Sequence, residues 1–426
     1  MRIVLFTGKG GVGKTTTAAA SAVQAARDGV TTLGMSTDAA HSLGDALGRD
    51  LSDDGGEVGP VLVEPHLHAL QVSARHSIDR SWRVVQDYLL EVLATIGVDP
   101  VVAEELTSLP GADEIAALLE LRARAESGEW DLIVVDCAPT AETLRLLALP
   151  EALAWHLERL LPGQRGLLRS LRPAAAAAVG MPLPGPEVAA TVSGWSRRMR
   201  ELQGLLTSDR ASVRLVLTPE RVVIAESRRT WTSLSLYGFV VDQVIVNRVF
   251  PPASADARGR AGPDPWRSAW NEAQREGLKE VVDSFAGLPV VTSPYLAGEP
   301  IGPDALMALA EARDGDVDQA PGSDLAAALL APVPHRGLTV RRSGDDYVLT
   351  LPLPLVSARE VDLKRRDSEL LVVVGDHRRV MTLPAVLKRC VVRSATVKDG
   401  TLRVRFSPDP AVWPVGATNG EGTGTA

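Results

Sequence analysis

At 426 residues the chain is too long for one ordinary domain, and its length suggests two or three. With 45% hydrophobic and 23% charged residues it has the balance of a folded globular protein, and no run approaches the roughly 18 apolar residues that a membrane span needs. A net charge of −8 argues against broad binding to nucleic-acid backbones, and two cysteines, Cys137 and Cys390, exclude a disulfide framework or a four-thiolate zinc site within one subunit.

The N-terminus passes from Met1 into an apolar run, Arg2 to Thr7, and then directly into glycines. It has neither the apolar region nor the cleavage site of a signal peptide, so a cytoplasmic location and no stable membrane insertion are expected. The glycines form GKGGVGKT, Gly8 to Thr15, which fits the phosphate-loop pattern G-x-x-x-x-G-K-[ST] at every fixed position. Helix formers follow and end at Gly29, completing strand, loop and helix. Further short apolar runs end at Asp38, Asp136, Thr218 and Asn247; alternating with helical segments, they predict a mainly parallel sheet with helices on both faces.

Two Leu- and Ala-rich stretches of helical spacing, about 75–127 and 150–208, read as a helical subdomain inserted between strands. Within the second, PAAAAAVG at Pro173–Gly180 suggests a mobile loop or helix, and Pro251–Pro265 reads as an exposed loop. The phosphate-loop domain therefore extends over 1–312, and a linker rich in Pro, Gly and Asp follows at 313–336. Beyond it the period changes to two: Tyr347, Leu349, Leu351 and Leu353 share one strand face, as do Leu402, Val404 and Phe406. With the turn signal Asp399-Gly400, residues 337–409 predict a small antiparallel β-sandwich, and 410–426 a disordered tail.

A phosphate loop works because backbone N–H groups and a helix start point at the anion, while glycines let the main chain come close. Gly8, Gly10, Gly11, Val12 and Gly13 supply that loop, so the phosphates of a nucleotide, with Mg²⁺, are the expected ligand. Lys14 would pair with the β- and γ-phosphates, Thr15 would place its hydroxyl on Mg²⁺, and Thr16 could reach the α-phosphate. Asp136 ends its strand where a metal-holding carboxylate must sit, although Asp is also an ordinary strand-end residue. Asp38 could polarise an attacking water or cap the helix that follows. Lys9 is not required by the loop pattern.

Taken in order, GKGGVGKTT, STDAAHSLGDALG and DCAPTAETLRLLALP resemble the ArsA and tail-anchored-protein-targeting ATPase family over about the first 310 residues. The resemblance implies a homodimer whose subunits face each other across the nucleotides, with Lys9 as the extra signature lysine that stabilises phosphate charge in the active dimer. It implies Asp38 as the water-orienting carboxylate, switches at Thr37–Asp45 and Asp136–Arg145, Asn247 as the reader of adenine, and Thr292–Gly302, with Pro294, as the loop over the base. It also implies hydrophobic helical polypeptide clients on the inserted helices, where Leu and Trp at helical spacing are otherwise plain core.

The chain departs from that pattern in places. It lacks the C-x-x-C pair of targeting factors and the cysteine set of arsenite pumps, so no structural zinc is expected. Cys137 replaces the usual threonine after the switch aspartate, and Ala141 and Glu142 stand where Gly-His is usual. His66 and His68 read as exposed strand histidines rather than metal ligands. The last domain resembles an α-crystallin domain through its strand pattern and VKDGTLRVRF. An ATP-hydrolysing, nucleotide-switched chaperone or targeting factor is the expected role; an arsenite-efflux ATPase and a spatial organiser of the partition or division-site kind are the rivals.

Overall fold

The computed structural model describes residues 1–37, 42–51, 59–72, 79–95, 97–100, 102, 112–137, 185–251, 265–313, 329–333 and 338–413. Contacts divide the chain into two compact units, Met1–Leu234 with Phe239–His335, and Arg336–Ala426 with Ser235–Gly238.

In the first unit, continuous apolar runs become strands buried on both faces, as an α/β sheet covered by helices requires. They are β1 (Arg2–Thr7), β2 (Thr32–Ser36), β3 (Val61–Glu64), β4 (Leu67–Gln71), β5 (Leu132–Asp136), β6 (Ala211–Leu217), β7 (Val241–Val249) and β8 (Val290–Pro294). The order is β3-β4-β2-β5-β1-β6-β7-β8, parallel throughout except for the antiparallel edge strand β3. The helices are α1 (Lys14–Arg27), α2 (Ser42–Leu47), α3 (Asp79–Thr95), α4 (Ala112–Ser127), α5 (Pro186–Leu206), α6 (Arg221–Leu236), α7 (Pro265–Ser284) and α8 (Pro303–Glu311). Alanines along α1 leave it narrow enough to be enclosed on most sides, and it packs against α2, α8 and the central strands.

The expected helical insertion has described counterparts. Helices α3 and α4 lie between β4 and β5 in the chain, α5 lies between β5 and β6, and α5 packs against both. Pro150–Pro184 and the alanine run at Pro173–Gly180 lie outside the described residues, as does most of the loop expected at Pro251–Pro265, whose last residue instead begins α7. The two histidines are not the exposed strand pair expected. His66 occupies a turn with a φ of 65°, while His68 lies on β4, half-buried, its ring edge-on to Trp130 at 5.1 Å.

The second unit holds β9 (Thr339–Ser343), β10 (Asp346–Pro352), β11 (Val361–Arg366), β12 (Glu369–Val374), β13 (His377–Thr382), β14 (Cys390–Lys398) and β15 (Thr401–Pro408). A four-stranded sheet, β14-β15-β10-β9, and a three-stranded sheet, β11-β12-β13, are both antiparallel. Leu349, Leu351, Leu402, Val404 and Phe406 share one buried core with Leu370, Val372 and Met381 from the other sheet. The alternation read from sequence therefore faces inward as expected. Asp399 and Gly400, at φ 50° and 63°, make the two-residue turn whose twist suits a hairpin.

Candidate active site

The pairing of β1 with β5 sets Phe6 beside Asp136, and that of β2 with β5 sets Ser36 beside the same residue. Three strand ends thus meet at one edge of the sheet, the place where open α/β sheets bind ligands. Past β1 the chain turns through the loop into α1. Gly11 and Gly13 adopt φ of 82° and 89°, a region that disfavours side chains. At Gly8 a Cβ would lie 2.0 Å from the Val216 carbonyl oxygen, and at Gly13 it would lie 2.3 Å from the Asn247 amide nitrogen. Around Gly10 and Gly11 a Cβ would meet nothing within 4 Å, so that side of the loop is open to a ligand.

The carboxylate of Asp136, 1% exposed, accepts a hydrogen bond from the Thr15 hydroxyl at 2.6 Å. Thr15 also lies 3.2 Å from the Ser42 hydroxyl on α2. The backbone N–H of Thr37 donates to the Asp136 carbonyl at 2.9 Å, which ties the end of β2 to the end of β5. The chemistry of this donor set suits Mg²⁺: hard oxygen ligands, few in number, beside a phosphate loop. Thr15 and Asp136 would hold the ion, and the residues present fit it.

Lys14 is buried, and its ammonium donates to the Lys9 carbonyl at 3.4 Å. The Lys9 side chain forms an ion pair with Glu226 on α6 at 3.4 Å. Thr16 stands half-buried in the first turn of α1. Asn247, buried two residues before the end of β7, donates its amide to the Val12 carbonyl at 2.9 Å and so braces the tip of the loop from two strands away. Pro294 ends β8 opposite Val249, and the following Tyr295 N–H donates to Val249 at 2.8 Å. The loop after it reaches α2, where the Gly302 N–H donates to the Ala46 carbonyl at 2.9 Å.

Lys9, Gly8 to Thr16, Asp136 and Asn247 therefore converge on one sheet edge, and Pro294 lies one strand beyond β7 at the same edge. Asp38 lies outside the described residues, as does the stretch expected as a second switch beyond Cys137. Several contacts here carry no sequence signal. Glu226 sits in an unremarked helix, Ser42 in a stretch read only as a switch, and Phe250 forms a ring contact with Tyr295 at 5.3 Å. Cys137 is buried, and burial pushes its thiol up from the ordinary range, with the Asp136 charge adding to the effect and Lys14 opposing it.

Comparison with known proteins gives two family matches: the anion-transporting ATPases (ArsA ATPases) over residues 1–313, and an HSP20-like domain found in ArsA over residues 344–406. Protein SCO2128 of Streptomyces coelicolor is 36% identical over 418 residues, covering 98% of this chain and 100% of its own length. A Chlorobaculum tepidum protein provisionally named arsenical pump-driving ATPase is 33% identical over 410 residues, covering 95% of this chain and 96% of its own. The ATPase GET3B of Arabidopsis thaliana is 33% identical over 272 residues, which covers 59% of this chain and 65% of its own.

Proposed function

The chain belongs to the ArsA family of anion-transporting ATPases, and from that membership we propose that it is a homodimeric ATP hydrolase whose nucleotide state opens and closes a helical surface for hydrophobic segments of other proteins. The observation that carries the hydrolase reading is the 2.6 Å contact between Thr15 and Asp136 beneath a loop opened by left-handed glycines. Bound Mg²⁺ would neutralise phosphate charge there. Backbone N–H groups of the loop and the Lys14 ammonium hold the β- and γ-phosphates; Asn247 and the Pro294 loop flank the base. Water oriented by Asp38 attacks the γ-phosphorus as the bond to the β–γ bridging oxygen breaks. ADP leaves, and the water proton passes to the carboxylate. Lys9 serves the partner's phosphates, and a cation so placed in trans is worth about 10³ to 10⁵ in rate.

Protein clients are favoured over arsenite by the state of the thiols. A soft metalloid needs clustered, accessible thiolates. Cys137 and Cys390 are both buried, belong to different compact units, and have thiols held above their ordinary range chiefly by burial. The inserted helices and the HSP20-like unit are what a factor handling exposed apolar chain would carry.

The direct test is hydrolysis and client capture by the full chain. Wild type should hydrolyse Mg-ATP, and Asp38→Asn should bind it while turning over far more slowly, since an amide cannot accept the proton. Capture of an apolar helix should follow nucleotide state. Capture identical with ATP, with ADP and without nucleotide would overturn the switch; unchanged single-turnover rates in Asp38→Asn would remove that residue from the chemistry.

A further inference from the structure

The net charge of −8 conceals an asymmetry, because residues 338–413 hold fourteen Lys and Arg against nine Asp and Glu, a balance of +5. Part of that excess is collected on one surface. In the four-stranded sheet β14-β15-β10-β9, the residues alternating with the buried Leu402, Val404 and Phe406 are Thr401, Arg403 and Arg405. The ladder sets Arg405 opposite Val348 on β10 and Ser394 on β14, and it sets Arg403 opposite Thr350 and Thr396. One strand further, Arg341 on β9 pairs with Val348, and Lys398 on β14 pairs with Thr401.

The outward face thus presents Arg341, Lys398, Arg403 and Arg405, all exposed, among the hydroxyls of Ser394, Thr396 and Thr350. Neighbouring strands are about 4.8 Å apart and alternate residues about 7 Å apart, so the four cations stand within roughly 10 Å of their neighbours, about one screening length. One carboxylate shares the face. Asp346 lies 3.4 Å from Arg405 and also accepts from Ser407, which leaves the patch with a clear positive balance. Such a face is the opposite of an aggregation-prone edge: its charges keep other strands away while attracting anions.

We propose that this sheet face docks on an anionic lipid surface. The partner follows from the shape and chemistry of the patch. It is an open pleated face with hydroxyl donors between the cations, suited to a planar array of phosphate headgroups, and among the described residues it holds no aromatic side chain on which bases could stack. Attraction is superficial and electrostatic, each cation near the headgroups contributing about a fivefold gain in binding. The nucleotide site takes no part in it.

The test is flotation of the full chain with vesicles of phosphatidylcholine alone or with a phosphatidylserine fraction, in the absence of nucleotide. Binding is expected only to the anionic vesicles and should fade as salt rises. The double variant Arg341→Gln/Arg403→Gln should lose about 25-fold by the same per-charge factor, whereas Arg341→Lys/Arg403→Lys, which keeps the charge, should retain binding. Lys364→Gln, on the other sheet and paired with Asp362 at 2.9 Å, should change little. Absence of binding, equal binding to neutral vesicles, an equal loss in Lys364→Gln, or tighter binding to a mixed-sequence DNA duplex at the same salt would each overturn the proposal.

Discussion

The Lys9 ammonium lies 3.4 Å from the Glu226 carboxylate, so the lysine that the phosphate-loop pattern does not require is held by a residue of its own chain. Both side chains are more than a third exposed, and an ion pair of that kind is worth at most about 1 kcal/mol. The contact is a resting place that a stronger anion can empty. If Lys9 acts on a partner's phosphates, it must leave Glu226 first.

Glu226→Gln should accordingly raise ATP-dependent dimerisation by up to about fivefold, the factor that corresponds to the lost ion pair. Lys9→Ala should keep nucleotide affinity and lose most hydrolysis, whereas Lys14→Ala should lose tight Mg-ATP binding. Sedimentation with and without ATP, beside steady-state turnover, checks all three. Turnover by Lys9→Ala equal to wild type would remove the trans role, and weaker dimerisation by Glu226→Gln would place Glu226 in the active state rather than the resting one.

Asn247 offers a second test, because its amide nitrogen braces Val12 while a base-reading role would use the carbonyl oxygen of the same amide. Asn247→Ala removes both, and the two losses can be told apart by comparing nucleotides. Losing the brace should weaken ATP and GTP alike, by about tenfold for a buried hydrogen bond left unmade. Losing the base contact should weaken ATP alone. We expect both affinities to fall and the ATP preference to narrow; an unchanged ratio would leave Asn247 as a brace only.

What could be read from sequence divides along physical lines. Glycine spacing before a helix, and apolar runs that end in Asp, Thr or Asn, are local signals, and β1, β2, β5, β6 and β7 lie where those runs fall. The alternation of Leu349 and Leu351 against Val404 and Phe406 likewise identifies the inner sandwich faces. The short antiparallel β3, joined to β4 through His66 in a left-handed turn, has no comparable pattern; its Val61 and Leu62 are exposed. Pairs such as Lys9 with Glu226 or Thr15 with Ser42 depend on how α6 and α2 meet the loop, which no local spacing encodes.

Thiol chemistry gives a third expectation. Burial and the neighbouring Asp136 charge hold the Cys137 thiol up, and burial does the same chiefly for Cys390. At neutral pH both should stay protonated and unreactive, since the thiolate is the nucleophile. A chromogenic disulfide reagent should label neither in the native chain and both after denaturation, and arsenite should leave turnover unchanged. Rapid labelling of one native thiol, or stimulation by arsenite, would reopen the pump reading.

A buried charge cluster bears on stability rather than chemistry. Asp242 at the start of β7 lies 3.6 Å from Arg2 and 3.7 Å from Arg214, and it accepts a hydrogen bond from Ser212 at 2.7 Å. Burial pulls the Arg2 guanidinium below its ordinary value, and Asp242 opposes that pull. Removing the anion leaves two buried cations without it, a loss of about 3 to 5 kcal/mol. Asp242→Asn should therefore lower the denaturant midpoint sharply, while replacing Arg2, Arg214 and Asp242 together by apolar residues of similar volume should recover much of the loss. A midpoint unchanged in Asp242→Asn would mean that water, not Asp242, compensates the two arginines.

The client surface is the part of the proposed function that rests least on the nucleotide site, and it can be tested by itself. In the second helical stretch Leu160, Leu167 and Leu168 lie outside the described residues. The first stretch is described over α3, where Leu89 and Leu93 stand one helical turn apart and only half-buried, with Tyr88 and Val92 beside them. An apolar side chain moved fully out of water contributes roughly 1.5 to 3 kcal/mol, so three or four half-buried ones completed by a client helix could hold it after ordering costs. Core positions behave differently: truncating one costs about 2 to 5 kcal/mol of stability. Polar substitutions at Leu89 and Leu93, and at Leu160, Leu167 and Leu168, should then weaken capture of an apolar helix while leaving the unfolding midpoint nearly unchanged. Client affinity and midpoint measured on the same variants separate the two roles. Early unfolding would show these leucines to be core, and wild-type capture would show them to be bystanders; either result ends the groove at these positions, whatever the nucleotide site does.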